Sequence, residues 1–440
     1  MRTTDNNCGE SLELIGLDNI AMDDLSYIAN KNLIDLQKDN PDLLIFPQSL
    51  GQYHDDVEKS HIFSLDEQNL TTYNLMGFVG RNSSQLTISS RFAQDDMNDY
   101  FLHYMLQKVL SINLLNFDQT SNKENIWDFL LYLFPYYLKK AYSQGMYKAY
   151  RREEYNDANV KGTIDVKRHI LRNVPFIGKI AYTTREHSYN NNLTQLVRHT
   201  IEYIKTHPYG NGLLTNDSEV RDIVSKFVFV TQNSYNKNSR QKIISANLKP
   251  FSHPYFTEYA MLQKICLNIL RREKITFGKE KDKVHGLLFD GAWLWEEYLY
   301  TVLKSCDFKH PLNKTSTGAI YLFSEQENYT RYPDFWKHNF ILDAKYKNPT
   351  EPIDRDDMNQ IISYMYVTEA NKGGFVYPAK NIKKIVCKKI GQLNGFGGTV
   401  KTWSVPIPQT SENFKEFIKS MNENEQELKQ NLMNEERVIV

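Results

Sequence analysis

The residues best suited to chemistry lie in one stretch: Tyr332-Pro333-Asp334, then Ile341-Leu342-Asp343-Ala344-Lys345-Tyr346-Lys347. An extended strand sends alternate side chains to opposite faces. Asp343 and Lys345 then share one face, and Leu342, Ala344 and Tyr346 take the other. Asp334 stands nine residues before Asp343, enough for a hairpin to bring the two carboxylates together. Two convergent carboxylates form a hard oxygen site suited to Mg²⁺, with Mn²⁺ as a substitute. Such an ion polarises a phosphoryl oxygen and lowers the pKa of its water. A lysine beside it can orient or help deprotonate that water and balance charge on a phosphate. Asp-x-Lys alone also fits an ordinary edge strand with solvated side chains. The Pro-Asp ahead of it favours the metal site.

Two flanking helices strengthen that reading. Upstream, Trp293-Leu294-Trp295-Glu296-Glu297-Tyr298-Leu299-Tyr300 sets two acids among bulky apolar residues. Adjacent helical residues are about 100° apart, so only one acid can face the site well. Glu296, three residues after Trp293 and four before Tyr300, is preferred over Glu297. Downstream, residues 356–364 place Gln360 and Tyr364 four apart on one helical face.

The elements that must position these residues form a multidomain α+β chain. A length of 440 residues suggests two or three domains. Residues 1–115 read as a mixed α/β region, with a helix at 22–39, a hairpin at 71–92 and a helix from 97 to 114. Residues 116–280 read as mostly helical, with helices at 124–149, 193–204 and 259–271. Residues 281–410 read as an α/β sheet domain. Its helices are expected at 292–304 and 356–368, and its strands at 319–323, 340–346, 374–377 and 383–388. Residues 411–440 carry a charged helix that suits a solvated or partner-binding tail.

The bulk numbers exclude several classes. Lys and Arg total 53, as do Asp and Glu, giving a net charge of +0. Tight, autonomous DNA binding normally needs a basic excess. The basic cluster at Lys380, Lys383, Lys384, Lys388 and Lys389 is either a protected sheet edge or a local DNA track. Four dispersed cysteines imply reduced thiols. No apolar run approaches the roughly 20 residues of a membrane helix, and the N-terminus lacks an apolar signal core. A cytoplasmic protein is expected. The segment nearest to a phosphate loop, Gly286 to Gly291, is followed by Ala292 and lacks the lysine, so this chain is expected to bind no nucleotide. No zinc-protease motif or serine nucleophile elbow is present. His338 reads as a turn residue.

The helix acid, Pro-Asp, Asp-Ala-Lys and Gln-x-x-x-Tyr, in this order, resemble the PD-(D/E)xK nuclease superfamily in its Q-x-x-x-Y subgroup. The wider chain resembles the McrC family, especially LlaJI-type restriction subunits. Supporting segments are Asn74-Leu75-Met76-Gly77-Phe78-Val79-Gly80, Ser90-Arg91-Phe92, Val160-Lys161-Gly162-Thr163-Ile164-Asp165-Val166 and Leu288-Phe289-Asp290-Gly291-Ala292. The resemblance runs from about residue 40 to 380. It implies metal ligands at Asp334, Asp343, Glu296 and the carbonyl of Ala344, and a catalytic Lys345. Gln360 and Tyr364 would support the site or contact DNA. It further implies a nuclease subunit acting on double-stranded DNA with a McrB-like AAA+ GTPase, docked through residues 1–115. The alternatives are a stand-alone repair or recombination nuclease and an inactive scaffold that only activates the motor. Because the motifs all follow residue 285, a fragment lacking 1–115 is expected to keep its metal site.

Overall fold

The computed structural model describes the chain except for residues 12–18, 30, 41–42, 48–60, 67–68, 83, 95–98, 111–124, 208–209, 277–282, 312–317, 351, 396 and 438–440. It divides into two compact units, Met1–Ser121 with Phe277–Val440, and Asn122–Thr276.

The first unit holds two five-stranded sheets. One comprises β1 (Arg2–Thr4), β3 (Leu43–Phe46), β6 (Leu75–Arg81), β7 (Ser84–Ser89) and β11 (Val284–Asp290), in the order β1-β7-β6-β11-β3. The hairpin expected at 71–92 is β6–β7, closing on the pair Arg81 and Ser84. Gly77 has φ +129°, and a Cβ there would come within 2.1 Å of the Leu287 carbonyl, so only glycine fits between these strands. A small sheet of β2 (Glu10–Ser11), β4 (Phe63–Leu65) and β5 (Asn69–Thr72) lies beside it. The single helix expected at 22–39 is two, α1 (Asn19–Ala29) and α2 (Leu33–Asp39). Asn32 breaks it by accepting a hydrogen bond from Asp35 N at 2.9 Å, a start signal inside the apolar stripe. Leu25, Ile28, Leu36, Ile45 and Leu288 share the resulting core.

The second sheet has the order β14-β15-β16-β18-β17, from β14 (Phe335–Lys337), β15 (Phe340–Ala344), β16 (Lys372–Ala379), β17 (Val386–Gln392) and β18 (Thr399–Pro406). β15, β16 and β18 are parallel, with antiparallel strands at both edges. A hairpin of β12 (Ile320–Phe323) and β13 (Gln326–Arg331) precedes it. Lys388 and Lys389 are exposed on the edge strand β17, where lysine disfavours further pairing. His338 lies in the β14–β15 turn.

The helices α3 (Tyr100–Leu110), α11 (Gly291–Leu303), α12 (Arg355–Val367) and α13 (Phe414–Arg437) complete this unit. Segment α12 is the crossover that joins the parallel strands β15 and β16. The C-terminal α13 is not a solvated tail. It buries Phe414, Phe417, Met421, Leu428 and Leu432, a helical stripe hidden among charged residues. Its buried Glu425 accepts from Tyr104 Oη at 2.5 Å, Tyr298 Oη at 3.1 Å and Lys108 Nζ at 2.9 Å.

Segments 1–115, 281–410 and 411–440, expected as separate parts, all lie in this unit. β11 sits between β6 and β3, so the strand leading into α11 belongs to the first sheet. The sheets also meet at Tyr346. Its hydroxyl is 2.7 Å from Ser90 Oγ and 3.2 Å from Met76 Sδ, and the Arg91 guanidinium lies 4.8 Å from its ring centroid.

The second unit, expected to be mostly helical, also contains an antiparallel sheet of β8 (Ala149–Asp157), β9 (Thr163–Ile164) and β10 (Ile180–Ser188). The helix expected at 124–149 is α4 (Asn125–Ser143), ending before Gly145 at φ 89°. β8 and β10 pair over nine residues. The polar run Arg151-Arg152-Glu153-Glu154 conceals β8, because strand reading relies on apolar alternation. α5 (Val166–Asn173) packs against β10. The remaining helices are α6 (Asn192–Thr206), α7 (Gly210–Thr215), α8 (Ser218–Thr231), α9 (Arg240–Ala246) and α10 (Tyr259–Thr276). The expected helices at 193–204 and 259–271 fall within α6 and α10. Among the described residues no helix is long and apolar enough to cross a membrane.

Candidate active site

The β14–β15 hairpin brings Asp334 to Asp343. Phe335 pairs with Leu342, so Asp334 lies alongside the Asp343–Ala344 end of β15. The Ala344 N–H donates to Asp334 Oδ2 at 2.6 Å. Asp343 is only 2% exposed, unlike the solvated side chain of an ordinary edge strand. Lys345 follows the strand end, with its N–H on the Val376 carbonyl at 3.0 Å.

Lys345 Nζ lies 2.7 Å from Asp343 Oδ2 and 2.9 Å from Asp357 Oδ1. The first contact is a close ion pair to a buried carboxylate oxygen. Lys345 Nζ also donates to Gln360 Oε1 at 3.4 Å. Gln360 Nε2 donates to Tyr364 Oη at 2.7 Å, and Tyr364 Oη donates to the Tyr332 carbonyl at 3.3 Å. The Gln-x-x-x-Tyr face therefore joins the lysine to the chain just before Asp334.

The site carries more buried negative charge than it comfortably holds. Burial, then the charges of Asp343 and Glu296, push Asp334 well above the usual carboxylate range. Asp343 is also raised, chiefly by burial and against the pull of Lys345. For Lys345, burial opposes the charge, but Asp343, Asp357 and Asp334 outweigh it and raise its pKa. Burial works against Asp357 too, yet Lys347 and Lys345 hold it below the usual range. A hard cation between the two aspartates would relieve the repulsion. Among the described residues no three His, Cys, Asp or Glu side chains already form a metal cage. The fit therefore rests on the two mutually repelling aspartates, with further donors drawn from backbone or nearby acids.

The two helix acids differ in what they act on. Glu296 contributes to raising Asp334, whereas Glu297 chiefly supports the positive charge of His310. His310 was not foreseen as a site residue. Its Nδ1–H donates to the Asp334 carbonyl at 2.7 Å, and its ring lies 3.8 Å from both Glu296 Oε1 and Glu297 Oε1. It arrives through a two-residue bridge between Lys309 and Trp336, a pairing with no local sequence signal. Asp357 was likewise visible only as one acid among several at the start of α12. Glu296→Gln is expected to lower cleavage about 10-fold or more, and Glu297→Gln to have the smaller effect. Single-turnover cleavage rates of the two variants check this, and equal, wild-type-like rates would remove the helix acid.

Comparison with known proteins identifies the family. The family described as "McrBC 5-methylcytosine restriction system component" matches residues 70–378, a span that contains every candidate residue. No curated protein matches the chain. A solved half-complex from a tetradecameric assembly of Thermococcus gammatolerans McrB AAA+ hexamers with bound McrC is similar, with 15% identity and a TM-score of 0.51. That match covers 96% of this chain and 99% of the other. A cryo-EM structure of the Thermococcus gammatolerans McrBC complex matches at 15% identity and a TM-score of 0.35, over 69% of this chain and 87% of that one. By the span of the family match, the chain belongs to the McrBC family.

Proposed function

We propose that this restriction-system component is the nuclease subunit, hydrolysing DNA phosphodiesters with Mg²⁺ or Mn²⁺. The observation that carries the reading is the pairing of half-buried Asp334 with buried Asp343 beside Lys345. The residue order and the β14–β15 hairpin with its crossover helix α12 suit a PD-(D/E)xK core. Asp334, Asp343 and Glu296 would hold the metal. Ala344 N–H already faces Asp334, and in a strand the same residue's carbonyl faces the same edge, so it is suited to join them. When bound, the metal supplies charge neutralisation at the phosphate and acidifies a water. Lys345 orients that water and offsets charge developing on the phosphate. Gln360 and Tyr364 fix the reach of Lys345.

The partner in this reading is a McrB-like AAA+ GTPase, as in the assembly with a similar fold, acting with this chain in the cytoplasm on double-stranded DNA. The family resemblance assigns docking to residues 1–115. A second candidate surface lies in the other unit, where Ile170, Leu171, Val174, Phe176 and Ile177 are all exposed. A group of exposed apolar residues of this kind suits a protein partner.

The test uses methylated and unmethylated duplex DNA with Mg²⁺, with and without partner and GTP. The chain alone should hydrolyse no GTP and cut poorly, since its neutral charge gives weak attraction to a polyanion. Partner and GTP together should raise both activities. Strong GTP-independent cleavage by the chain alone would favour the stand-alone nuclease. GTPase stimulation without cleavage would favour the scaffold.

A further inference from the structure

Asp357 is the residue around which the cations of the site are arranged. Its Oδ1 lies 2.9 Å from Lys345 Nζ and its Oδ2 lies 2.5 Å from Lys347 Nζ. One carboxylate thus brings two ammonium groups side by side. Asp357 sits in the first turn of α12, where the partial positive charge of a helix start favours a carboxylate. The turn is itself fixed, because the Asp354 side chain caps it through Asp356 N.

Exposure separates the members of this group. The side chain of Asp343 is 2% exposed, while those of Asp357, Lys345 and Lys347 are 17%, 18% and 26% exposed. The buried end faces the aspartate pair and the open end faces solvent. If a metal engages Asp343, Lys345 keeps Asp357 and Gln360 as partners. Lys347 pairs with Asp357, and its amine is the most exposed of the group.

We infer that Asp357 is a positioning residue that joins Lys345 and Lys347 into a paired-cation cradle for a DNA strand. Lys345 meets the scissile phosphate and Lys347 a neighbouring phosphate of the same strand. This assignment rests on the nuclease reading and extends it to a backbone-binding residue, Lys347, outside the Asp-x-Lys motif. The two amines take separate oxygens of the carboxylate, so each keeps donors free for a phosphate.

Two measurements on the full-length chain test it. The first is brief acetic anhydride labelling, read by mass spectrometry at Lys345 and Lys347, with exposed Lys237 as reference. Asp357→Asn should raise labelling of both lysines several-fold over the reference, and Asp357→Glu should largely restore protection. A merely structural role would not act on these two amines selectively. The second measures cleavage and duplex-DNA binding by the complex with its motor partner. Asp357→Asn should slow single-turnover cleavage about 10- to 100-fold. Lys347→Ala should weaken binding and lower the salt slope of affinity by about one. Unchanged labelling in Asp357→Asn, or an unchanged salt slope in Lys347→Ala, would overturn the cradle. Absence of cleavage by the wild-type complex would instead defeat the nuclease reading, and the labelling and salt-slope results would still decide the cradle.

Discussion

Lys345→Ala and Asp343→Asn are each expected to lower Mg²⁺-dependent DNA cleavage about a thousandfold or more. That corresponds to about 4 kcal/mol of lost transition-state stabilisation, the scale of a metal ligand or a fixed charge at a phosphate. Neither change should unfold the protein. In Asp343→Asn, Lys345 keeps its contact with Asp357 at 2.9 Å, so no ammonium is left buried and alone. The substitution also removes one of two carboxylates that repel each other in a buried site. Asn is preferable to Ala here because Asp343 is almost fully buried and truncation would leave a cavity. In Lys345→Ala, Asp357 retains Lys347. Cleavage should be measured with partner, GTP and Mg²⁺, beside thermal melting of the metal-free chain. Wild-type cutting by either variant would remove the residue from the mechanism. A collapse of the melting temperature would show a structural role instead.

The local part of this site was legible because its chemistry is local. Asp334, Asp343 and Lys345 lie within twelve residues, and a strand's two-residue period states which of them share a face. Gln360 and Tyr364 were legible for the corresponding reason on a helix. His310 was not, because it reaches Asp334 through pairing of Lys309 with Trp336, across a long separation. The burial of Asp343 was also hidden. Polarity alone predicts solvent, whereas the packing of β15 between β14 and β16, with α11 and α12 packed against it, removes solvent. The domain division was the least legible. Chain order suggested that residues 281–290 open a new domain, but hydrogen bonding puts β11 inside a sheet made largely from residues before 90, between β6 and β3.

That interior strand leads to a second large effect. A fragment lacking residues 1–115 should fail to fold the part that carries the candidate site, contrary to what motif positions alone suggest. Deletion removes β1, β3, β6 and β7, so β11 loses both of its neighbours. Val284 and Leu288, each fully buried, would meet water. It also removes α3, whose Phe101 packs 5.9 Å from Trp295 and whose Tyr104 packs 5.7 Å from Tyr298, on the helix that carries Glu296. Phe414 and Phe417 of α13 lose Tyr100. Tyr346, directly after Lys345, loses Ser90, Met76 and Phe92. Each large apolar side chain uncovered costs about 1.5–3 kcal/mol. Half a dozen such losses match the roughly 5–15 kcal/mol that holds a domain together. The fragment should therefore show no cooperative melting transition from this unit and no upward shift on adding Mg²⁺. For the intact chain, Mg²⁺ should raise that transition, because a ligand of the folded state stabilises it. A soluble fragment with a cooperative, Mg²⁺-sensitive transition would show that the second sheet folds independently. Otherwise loss of GTPase stimulation in the fragment says nothing about docking. The docking surface must then be located by point substitutions such as Leu171→Asp and Phe176→Asp, which alter exposed side chains and leave the sheets intact.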